Sequence, residues 1–308
     1  MKKHAYLIMA HNQFEILKEL IMALDDNRND IFVHIDKKSV DFPIDRLNGC
    51  VRFSGLYVIP RMEVNWGGYS QIACELHLMD CAREHGDYEY YHLLTGAFYP
   101  LKSQDYMHEF FELHSGMEFV GFDNSRDYGW RTKYVHLFSE IGKPITKRQK
   151  LQRFVREKYL GLQSKLNIVK GCTKGIIFKK GIVYWSITQN AVDYILAKMD
   201  EIKKIYANSF CADELFVQTI LYNSEFKGKI FDLKNDFSGS LRTAKPPQSW
   251  ESNAVKNMVQ NTRDNSLTVE DVDWLMNSGA FYAMKFIGDD GLNAISLIKE
   301  LIEERKFE

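Results

Sequence analysis

Apolar residues in the first hundred positions fall into short runs separated by amphipathic segments. The run Ala5–Ala10 and the largely apolar stretch Ile31–Ile35 show no regular polar alternation, which is typical of strands buried on both faces of a sheet. Between them, Asn12 predicts the start of a helix, and Glu15 three residues later completes a capping-box-like pattern. Apolar positions then recur at helical spacing at Phe14, Leu17, Leu20, Ile21 and Leu24.

Two further strands and a long helix extend this alternation. Tyr57–Ile59 and Tyr90–Leu94 are predicted strands, and Tyr69–Arg83 is a predicted amphipathic helix between them. The alternation of strands and helices predicts an α/β fold with a mixed, mostly parallel central sheet flanked by helices.

Polar residues follow the predicted strands at His11, Asp36 and the turn Thr95–Pro100. Ligands of parallel sheets bind at the carboxyl ends of the strands, so these positions predict a site along one rim. A carboxylate such as Asp36 can hold ribose hydroxyls through charge-assisted hydrogen bonds. The alternative is that Asp36 only caps its own turn.

The rest of the chain is less regular. Its predicted elements are the strands Met117–Phe122 and Val183–Ile187, the helices Thr146–Leu162, Gln189–Met199, Asp213–Tyr222, Thr268–Asn277 and Leu292–Glu304, and an ordered loop over Asn235–Asn253. No stretch has the composition of a linker. We therefore predict one domain over residues 1–308, with a nucleotide-binding half at 1–115 and an acceptor and catalytic half at 116–308.

Composition narrows the function classes only slightly. Hydrophobic residues make up 45% of the chain and charged residues 26%, as in ordinary globular proteins. The aromatic share of 13% suits a pocket for sugars or flat ligands, and it suits a large core equally well. The formal net charge of -1 argues against a general nucleic-acid binder.

Positive charge is concentrated between Lys143 and Lys180, where twelve Lys and Arg accompany a single acid, Glu157. The predicted basic helix Thr146–Leu162 within this segment carries apolar residues on one face, namely Leu151, Phe154, Val155 and Leu162. We expect peripheral contact between segment 143–180 and an anionic membrane or a lipid-diphosphate-linked acceptor. The alternative is an ordinary solvated basic face.

Cysteine usage and hydropathy bear on location. The five cysteines are odd in number and contain no CxxC pair, which indicates reduced thiols. No run approaches the roughly 20 apolar residues that span a bilayer, and Ala5–Ala10 is too short for a signal peptide. We expect a cytoplasmic protein, peripheral on the inner face of the plasma membrane.

Several standard catalytic motifs are missing from the sequence. It contains no GxxxxGK[ST] loop, GxGxxG, GxSxG or HExxH, and no Cys/His cluster has zinc spacing. A nucleotidyltransferase on a similar scaffold would need a glycine-rich, basic phosphate loop near the first strand. The segment Ala10-His11-Asn12 offers none.

Six regions of the sequence carry motifs that can be compared with known families. They are AYLIMAHNQFEILKELI with IFVHIDKKS, NWGGYSQIACELHLM, YHLLTGAFYPLKS, GIVYWSITQNAVDYIL, ADELFVQTIL and SGAFYAMKF. In type and order, from Ala5 to Phe286, they resemble motifs of the core-2/I-branching β-1,6-N-acetylglucosaminyltransferases, glycosyltransferase family 14. The resemblance implies a GT-A-type nucleotide-sugar-binding fold.

The resemblance also implies which residues hold the donor. Ala10, His11 and Asp36 correspond to nucleotide contacts, and Lys285 in YAMKF corresponds to the lysine that binds the diphosphate. Arg263 is the candidate for the accompanying arginine. His11 is alternatively a structural turn residue, and both cations are alternatively solvated surface charges, the usual fate of Lys and Arg.

A second group of residues is assigned to the donor and acceptor sugars. It comprises Thr95, Gly96, Tyr184, Trp185, Asp213 and Arg242, of which Arg242 is also an alternative to Arg263. Aromatic faces at Tyr184 and Trp185 can support the apolar face of a sugar. Both residues are equally consistent with the core of a buried strand.

Glu214, in the ADELF motif, corresponds to the family's general base. Inverting glycosyl transfer needs one group that takes the proton of the acceptor hydroxyl. Asp213 is expected to cap the following helix, with Leu215, Phe216 and Ile220 anchoring it beneath. Without the motif, Glu214 would be interpreted as a first-turn residue that favours the helix dipole.

The turn Thr95–Pro100 departs from the family pattern, because Ala97 or Phe98 replaces its usual acid. Divalent cations need oxygen-rich ligand sets, so the missing acid and the family likeness together predict a metal-independent enzyme without a cofactor. We expect inverting transfer of N-acetylglucosamine from UDP-GlcNAc to a glycan hydroxyl in surface polysaccharide synthesis. Xylosyl or other UDP-sugar transfer and non-catalytic nucleotide or glycan binding are the alternatives.

Overall fold

The computed structural model describes residues 2–40, 42, 44–123, 126–231, 233, 258–260 and 266–304. The strands are β1 (Lys3–Ala10), β2 (Asn29–Ile35), β3 (Gly55–Val58), β4 (Tyr88–Thr95), β5 (Phe98–Pro100), β6 (Ser186–Thr188), β7 (Met258–Gln260) and β8 (Tyr282–Met284). The α-helices are α1 (Phe14–Ala23), α2 (Tyr69–His85), α3 (Gln104–Leu113), α4 (Trp130–Lys133), α5 (Lys147–Lys165), α6 (Gln189–Leu196), α7 (Met199–Tyr206), α8 (Phe216–Tyr222), α9 (Val272–Asn277) and α10 (Gly288–Glu304).

A five-stranded sheet in the order β3-β2-β1-β4-β6 forms the centre of the fold. Neighbouring strands run parallel from β3 to β4, and β6 pairs antiparallel with β4. Helices pack on both faces, so the predicted mixed α/β architecture with a mostly parallel sheet is confirmed.

The unbroken apolar sequence of β1 reflects its position in the middle of this sheet. Tyr6, Leu7 and Ile8 are completely buried. Leu7 belongs to the same core cluster as Ile72 of α2, whereas Ile8 packs in a second cluster with Leu17 of α1. A strand that buries both faces tolerates no regular polar alternation, which is why the period-two pattern is absent.

The order of the strands creates a crevice at their carboxyl ends. The chain leaves β1 towards β2 on one side, and β4 lies on the other, so these ends form a topological switch point. The Asp36 N–H donates to the Ala10 carbonyl over 2.8 Å, and the Gly96 N–H donates to the Met9 carbonyl over 3.0 Å. The ends of three strands are therefore tied together at this rim.

A second, three-stranded sheet has the order β5-β8-β7. Phe98 of β5 pairs antiparallel with Met284 of β8, and the Phe286 N–H donates to the Ala97 carbonyl over 3.1 Å. This pairing brings Lys285, from the end of the chain, beside the turn that follows β4.

Several predicted elements differ in the structure. Helix α1 begins at Phe14 without a side-chain cap, because Gln13 adopts the left-handed conformation at φ 55°; the predicted capping box does not form. Residues 117–122 make isolated bridges, such as Glu118 with Ile230, instead of a continuous strand.

Other predicted elements, in the carboxyl-terminal half of the chain, also have different boundaries in the structure. The predicted helix Gln189–Met199 is divided between α6 and α7, and Asp289 and Asp290 lie in the first turn of α10 instead of a turn between elements. The predicted loop over Asn235–Asn253 lies outside the described residues. No helix in the described ranges combines the length and hydropathy needed to cross a bilayer.

The contact between Gly96 and β1 predicts a measurable loss of stability. In Gly96→Ala the new Cβ would lie 2.9 Å from the Ala10 Cβ, so the β1–β4 junction must shift. We expect a loss of about 1–3 kcal/mol in the free energy of unfolding, measured by urea denaturation. Gly161→Ala in α5, where nothing lies within 4 Å, should be neutral or stabilising; equal losses in both variants would contradict the tight junction.

Candidate active site

The nucleotide end of the candidate site lies around His11. His11 is an exposed residue. Partial desolvation by its neighbours lowers the pKa of His11, the Asp36 carboxylate opposes this shift, and Lys285, Lys38 and Lys143 reinforce it. The Asp36 carboxylate and the three lysine ammonium groups are therefore within electrostatic range of the imidazole. The structure thus brings together three residues that the sequence assigned to the nucleotide, namely His11, Asp36 and Lys285.

Asp36 is largely buried and takes part in its own turn. Its Oδ1 accepts a hydrogen bond from the Lys38 N–H over 2.9 Å, and Oδ2 lies 3.6 Å from the Lys38 ammonium. Arg61 holds the same loop by donating to the Asp36 carbonyl over 2.8 Å. Asp36 therefore closes its own turn, which was the alternative to ribose binding. Its carboxylate also remains within electrostatic range of His11.

Lys285 follows the last residue of β8 and is half-buried. Its carbonyl accepts a hydrogen bond from the Leu267 N–H over 2.9 Å, which fixes the backbone. Among the described residues, no carboxylate lies within ion-pair distance of the Lys285 ammonium. Arg242 and Arg263 lie outside the described residues, so their predicted roles stay predictions.

Ala10, Thr95 and Gly96 shape the backbone at this rim. Ala10 is almost fully buried, and the Thr95 hydroxyl donates to the Met9 carbonyl over 3.0 Å. The small side chains at positions 10 and 96 allow the two strand ends to approach closely. A ligand here would meet mainly backbone atoms at these positions.

Glu214 ends a short 3-10 turn, Ala212–Glu214, that precedes α8. Its Oε2 lies 2.6 Å from Arg131 Nη1 and 3.5 Å from the Lys180 ammonium, and its side chain stays 32% exposed. The Gly181 N–H donates to the Glu214 carbonyl over 2.8 Å. Because both backbone and side chain are held, the carboxylate has a fixed position with one accessible side.

The residues that hold Glu214 form a charged network. Lys180 also lies 3.5 Å from Asp123 Oδ2, which accepts a hydrogen bond from the Tyr128 hydroxyl over 2.7 Å. The Arg131 guanidinium and the Lys180 ammonium lie over the Tyr128 ring, 5.2 Å and 5.0 Å from its centroid. The aromatic ring thus contacts both cations that hold Glu214.

Asp213 does not cap the following helix, which corrects the expectation. The residue is buried, and its Oδ2 accepts a hydrogen bond from Gln71 of α2 over 2.9 Å. Burial, and secondarily the negative charge of the neighbouring Glu214, raises the pKa of Asp213 to about 7. The anchoring of this segment by Leu215 and Phe216 is confirmed, since both are fully buried.

The two aromatic residues assigned to the sugar differ in position. Trp185 is completely buried and donates from Nε1 to Oε2 of Glu75 over 3.3 Å, so its ring belongs to the core and offers no face to a ligand. Tyr184 is partly buried and packs against both large core clusters. Its ring meets Phe98 of β5 edge to face at 4.7 Å.

Tyr184 connects the two ends of the candidate site. Burial raises the pKa of Tyr184, and the negative charges of Asp213, Glu75 and Glu214 raise it further. Tyr184 therefore lies within electrostatic range of Glu214. Its ring contacts Phe98 of β5, the strand that pairs with β8. Strand β8 ends immediately before Lys285.

A cavity of about 400 Å³ opens next to the catalytic end. It is lined by Asp123, Arg126, Asp127, Tyr128, Lys133 and residues 176–180. Lys180 and Asp123 belong both to this lining and to the network around Glu214. An acceptor molecule bound in the cavity would therefore lie next to the proposed base.

No group of three or more His, Cys, Asp or Glu side chains in the described parts of the chain is arranged to hold a metal ion. Positive side chains are nearest to the nucleotide end, at Lys285, Lys38 and Lys143. Such a set of cations attracts anionic groups.

Comparison with known protein families shows which family the chain belongs to. The family model described as "Branch: Core-2/I-Branching enzyme" matches residues 4–275, which is most of the chain. The chain belongs to the Core-2/I-branching enzyme family.

Curated relatives of this Core-2/I-branching family member include two proteins named for different activities. "Beta-glucuronosyltransferase GlcAT14B" from Arabidopsis thaliana is 25% identical over 93% of this chain and 63% of the relative. "Beta-1,3-galactosyl-O-glycosyl-glycoprotein beta-1,6-N-acetylglucosaminyltransferase" from Homo sapiens is 22% identical over 99% of this chain and 70% of the relative. The chain spans less than two thirds of the plant relative's length.

A solved structure with slight similarity is the "apo-form glycosyltransferase GlyE" from Streptococcus pneumoniae TIGR4. Its TM-score is 0.24 at 13% identity, over 54% of this chain and 39% of that chain. A likeness of this size supports no conclusion about the function of this Core-2/I-branching family member.

Sequence reasoning assigned no role to several residues of the site in this Core-2/I-branching protein. Arg131 and Lys180 hold Glu214, and Lys38 and Lys143 lie near His11. The cluster of cations at 143–180 was the available signal, since Lys143 and Lys180 stand at its two ends. Long-range pairing with Glu214 could not be read from it.

The raised pKa of Asp213 predicts how this family member's stability changes with pH. Its pKa rises from 3.8 to about 7 on folding, so the native state holds an extra proton between these values. Stability is therefore lost as pH rises through about 7. Asp213→Asn stays neutral, and its stability relative to the wild type should increase by about 2–3 kcal/mol from roughly pH 5 to pH 8.

Urea unfolding across this pH range measures the effect. Asp80→Asn, on the exposed side of α2, is the matched control and should keep a constant difference from the wild type. A constant difference for Asp213→Asn as well would contradict a buried, protonated carboxyl group.

Proposed function

We propose that this chain is an inverting glycosyltransferase that moves a sugar from a UDP-sugar to a glycan hydroxyl, with Glu214 as the general base. The supporting observation is the partly exposed Glu214 carboxylate, held by Arg131 and Lys180 beside a cavity. Tyr184 and Phe98 connect it to the cationic nucleotide end. Membership of an enzyme family agrees with a catalytic role.

The proposed reaction needs two electrostatic tasks. Glu214 takes the proton of the acceptor hydroxyl while its oxygen attacks the anomeric carbon, and the glycosidic bond to the diphosphate breaks. Negative charge then develops on the departing UDP, where Lys285, with Lys38 and Lys143 nearby, stabilises it. Arg131 is a positioning residue in this scheme, because it fixes the Glu214 carboxylate.

The donor sugar is proposed less narrowly than the reaction type. N-acetylglucosamine from UDP-GlcNAc is our first candidate, because the human relative is named an N-acetylglucosaminyltransferase. The plant relative is named a glucuronosyltransferase, which favours glucuronic acid as the second candidate. A panel of UDP-sugars, scored by UDP release with and without a glycan acceptor, distinguishes them.

A role in surface polysaccharide synthesis at the cytoplasmic face of the membrane completes the proposal. The acceptor would enter through the cavity lined by Tyr128 and Lys133. A non-catalytic relative would bind UDP without consuming any donor of the panel, and that result would refute the enzymatic proposal.

Replacing the proposed base should stop chemistry without preventing binding. Glu214→Gln keeps the shape of the side chain and removes its basicity, so we expect kcat/KM to fall about 100-fold or more. The Kd of UDP should change less than about threefold. Glu112→Gln, at an exposed position of α3, is the control, and undiminished transfer by Glu214→Gln would remove the assigned base.

Binding of the diphosphate by side-chain cations predicts indifference to chelation. Calorimetric titration with UDP should give the same Kd with and without EDTA. Lys285→Met should weaken binding about tenfold, the loss expected for one charge-assisted contact. Lys299→Met, an exposed lysine of α10, should bind as the wild type, whereas loss of binding or transfer in EDTA would contradict the metal-free proposal.

A further inference from the structure

Helix α5 packs on the rest of the protein through polar residues. Arg156 and Gln163, seven residues apart, lie on one side of the helix and are buried. The Arg156 guanidinium lies 4.7 Å from the ring centroid of Phe210. The Gln163 side chain exchanges hydrogen bonds of 3.0 Å and 2.9 Å with the backbone of Val135. The two residues of α5 that are buried against the protein are thus polar.

Four apolar residues of α5 face solvent instead. Their exposed fractions are 63% for Leu151, 54% for Phe154, 41% for Val155 and 52% for Leu162, and apolar exposure continues past both helix ends at Ile145 and Leu166. One exposed leucine needs no explanation, but four exposed apolar residues within about three helical turns do. A surface helix normally has the reverse arrangement.

Positive charge surrounds these apolar residues. Helix α5 carries seven Lys and Arg and one acid, Glu157, which pairs with Arg153 over 2.7 Å. Lys158 lies one helical turn from both Phe154 and Leu162, and its ammonium lies 5.3 Å from the Phe154 ring centroid. Apolar and cationic side chains therefore share one exposed face.

We propose that this exposed face of α5 is a docking surface for an anionic lipid bilayer. The apolar side chains would enter the boundary between headgroups and acyl chains, and lysine stems would extend along them towards lipid phosphates. A second copy of the chain fits poorly, because a twofold contact would set this cationic helix against itself. The charge therefore selects a negatively charged surface.

Docking through α5 also has a consequence for the active site. The cationic segment that contains α5 begins at Lys143, near His11, and ends at Lys180, beside Glu214. If the proposed transferase function holds, docking would keep the site near the membrane surface, where a lipid-borne acceptor is found. Vesicle binding requires no donor, so it is scored independently of transfer.

Flotation with lipid vesicles tests the proposal. Vesicles of phosphatidylcholine alone are compared with vesicles of equal parts phosphatidylcholine and phosphatidylglycerol, at roughly 0.1 M and 0.5 M NaCl. The test variant combines Leu151→Ser, Phe154→Ser and Leu162→Ser. The matched control combines Val40→Ser, Phe53→Ser and Leu113→Ser, which are large apolar residues exposed elsewhere. Circular dichroism verifies that each variant is folded.

We expect the wild type and the control to float with the anionic vesicles only, and the α5 variant to bind about tenfold less. Phe154→Trp should show a blue-shifted emission on anionic vesicles, and Leu113→Trp should not. Absence of flotation, or salt-sensitive flotation that the α5 variant retains, would overturn the proposal. A dimeric wild type together with a monomeric α5 variant would also overturn it. Equal retention of the wild type and the α5 variant on polyglutamate beads would do the same.

Discussion

The parallel pairing of β1 with both β2 and β4 is the constraint on which the candidate site depends. It sets three strand ends at one rim, where the backbone bonds from Asp36 to Ala10 and from Gly96 to Met9 hold them within hydrogen-bonding distance. Helices on both faces make this sheet a rigid platform. The short β5–β8 pairing then delivers Lys285 to the same rim from the far end of the chain.

The two ends of the site use charge in different ways. At the nucleotide end, Lys285 has no carboxylate partner among the described residues, and an anionic ligand can therefore interact with it fully. At the catalytic end, Arg131 and Lys180 are already engaged with Glu214. Lys285 is therefore available to a ligand, whereas Arg131 and Lys180 fix the geometry of Glu214.

Two buried carboxyl groups near Glu214 reduce the stability of the fold at this end of the site. Glu75 and Asp213 are both buried, and burial raises the pKa of each carboxyl group above its ordinary value. Their contacts with Trp185 and Gln71 link α2 to the turn that carries Glu214. Groups of this kind are often found where a site needs precise support, although structural networks shift pKa values as well.

The sequence by itself determined the central sheet, because short unbroken apolar runs such as Ala5–Ala10, alternating with amphipathic helices, are typical of strands buried on both faces. Its ordered motifs also determined the family. Only the tertiary structure decided that Trp185 is core, that Asp213 binds Gln71 instead of a helix end, and that Arg131 holds Glu214 across 83 positions. It likewise showed that α5 turns its apolar side outwards, which helical periodicity cannot reveal. Periodicity reports which residues share a face, whereas contacts between distant segments and the direction of a face depend on how the elements pack.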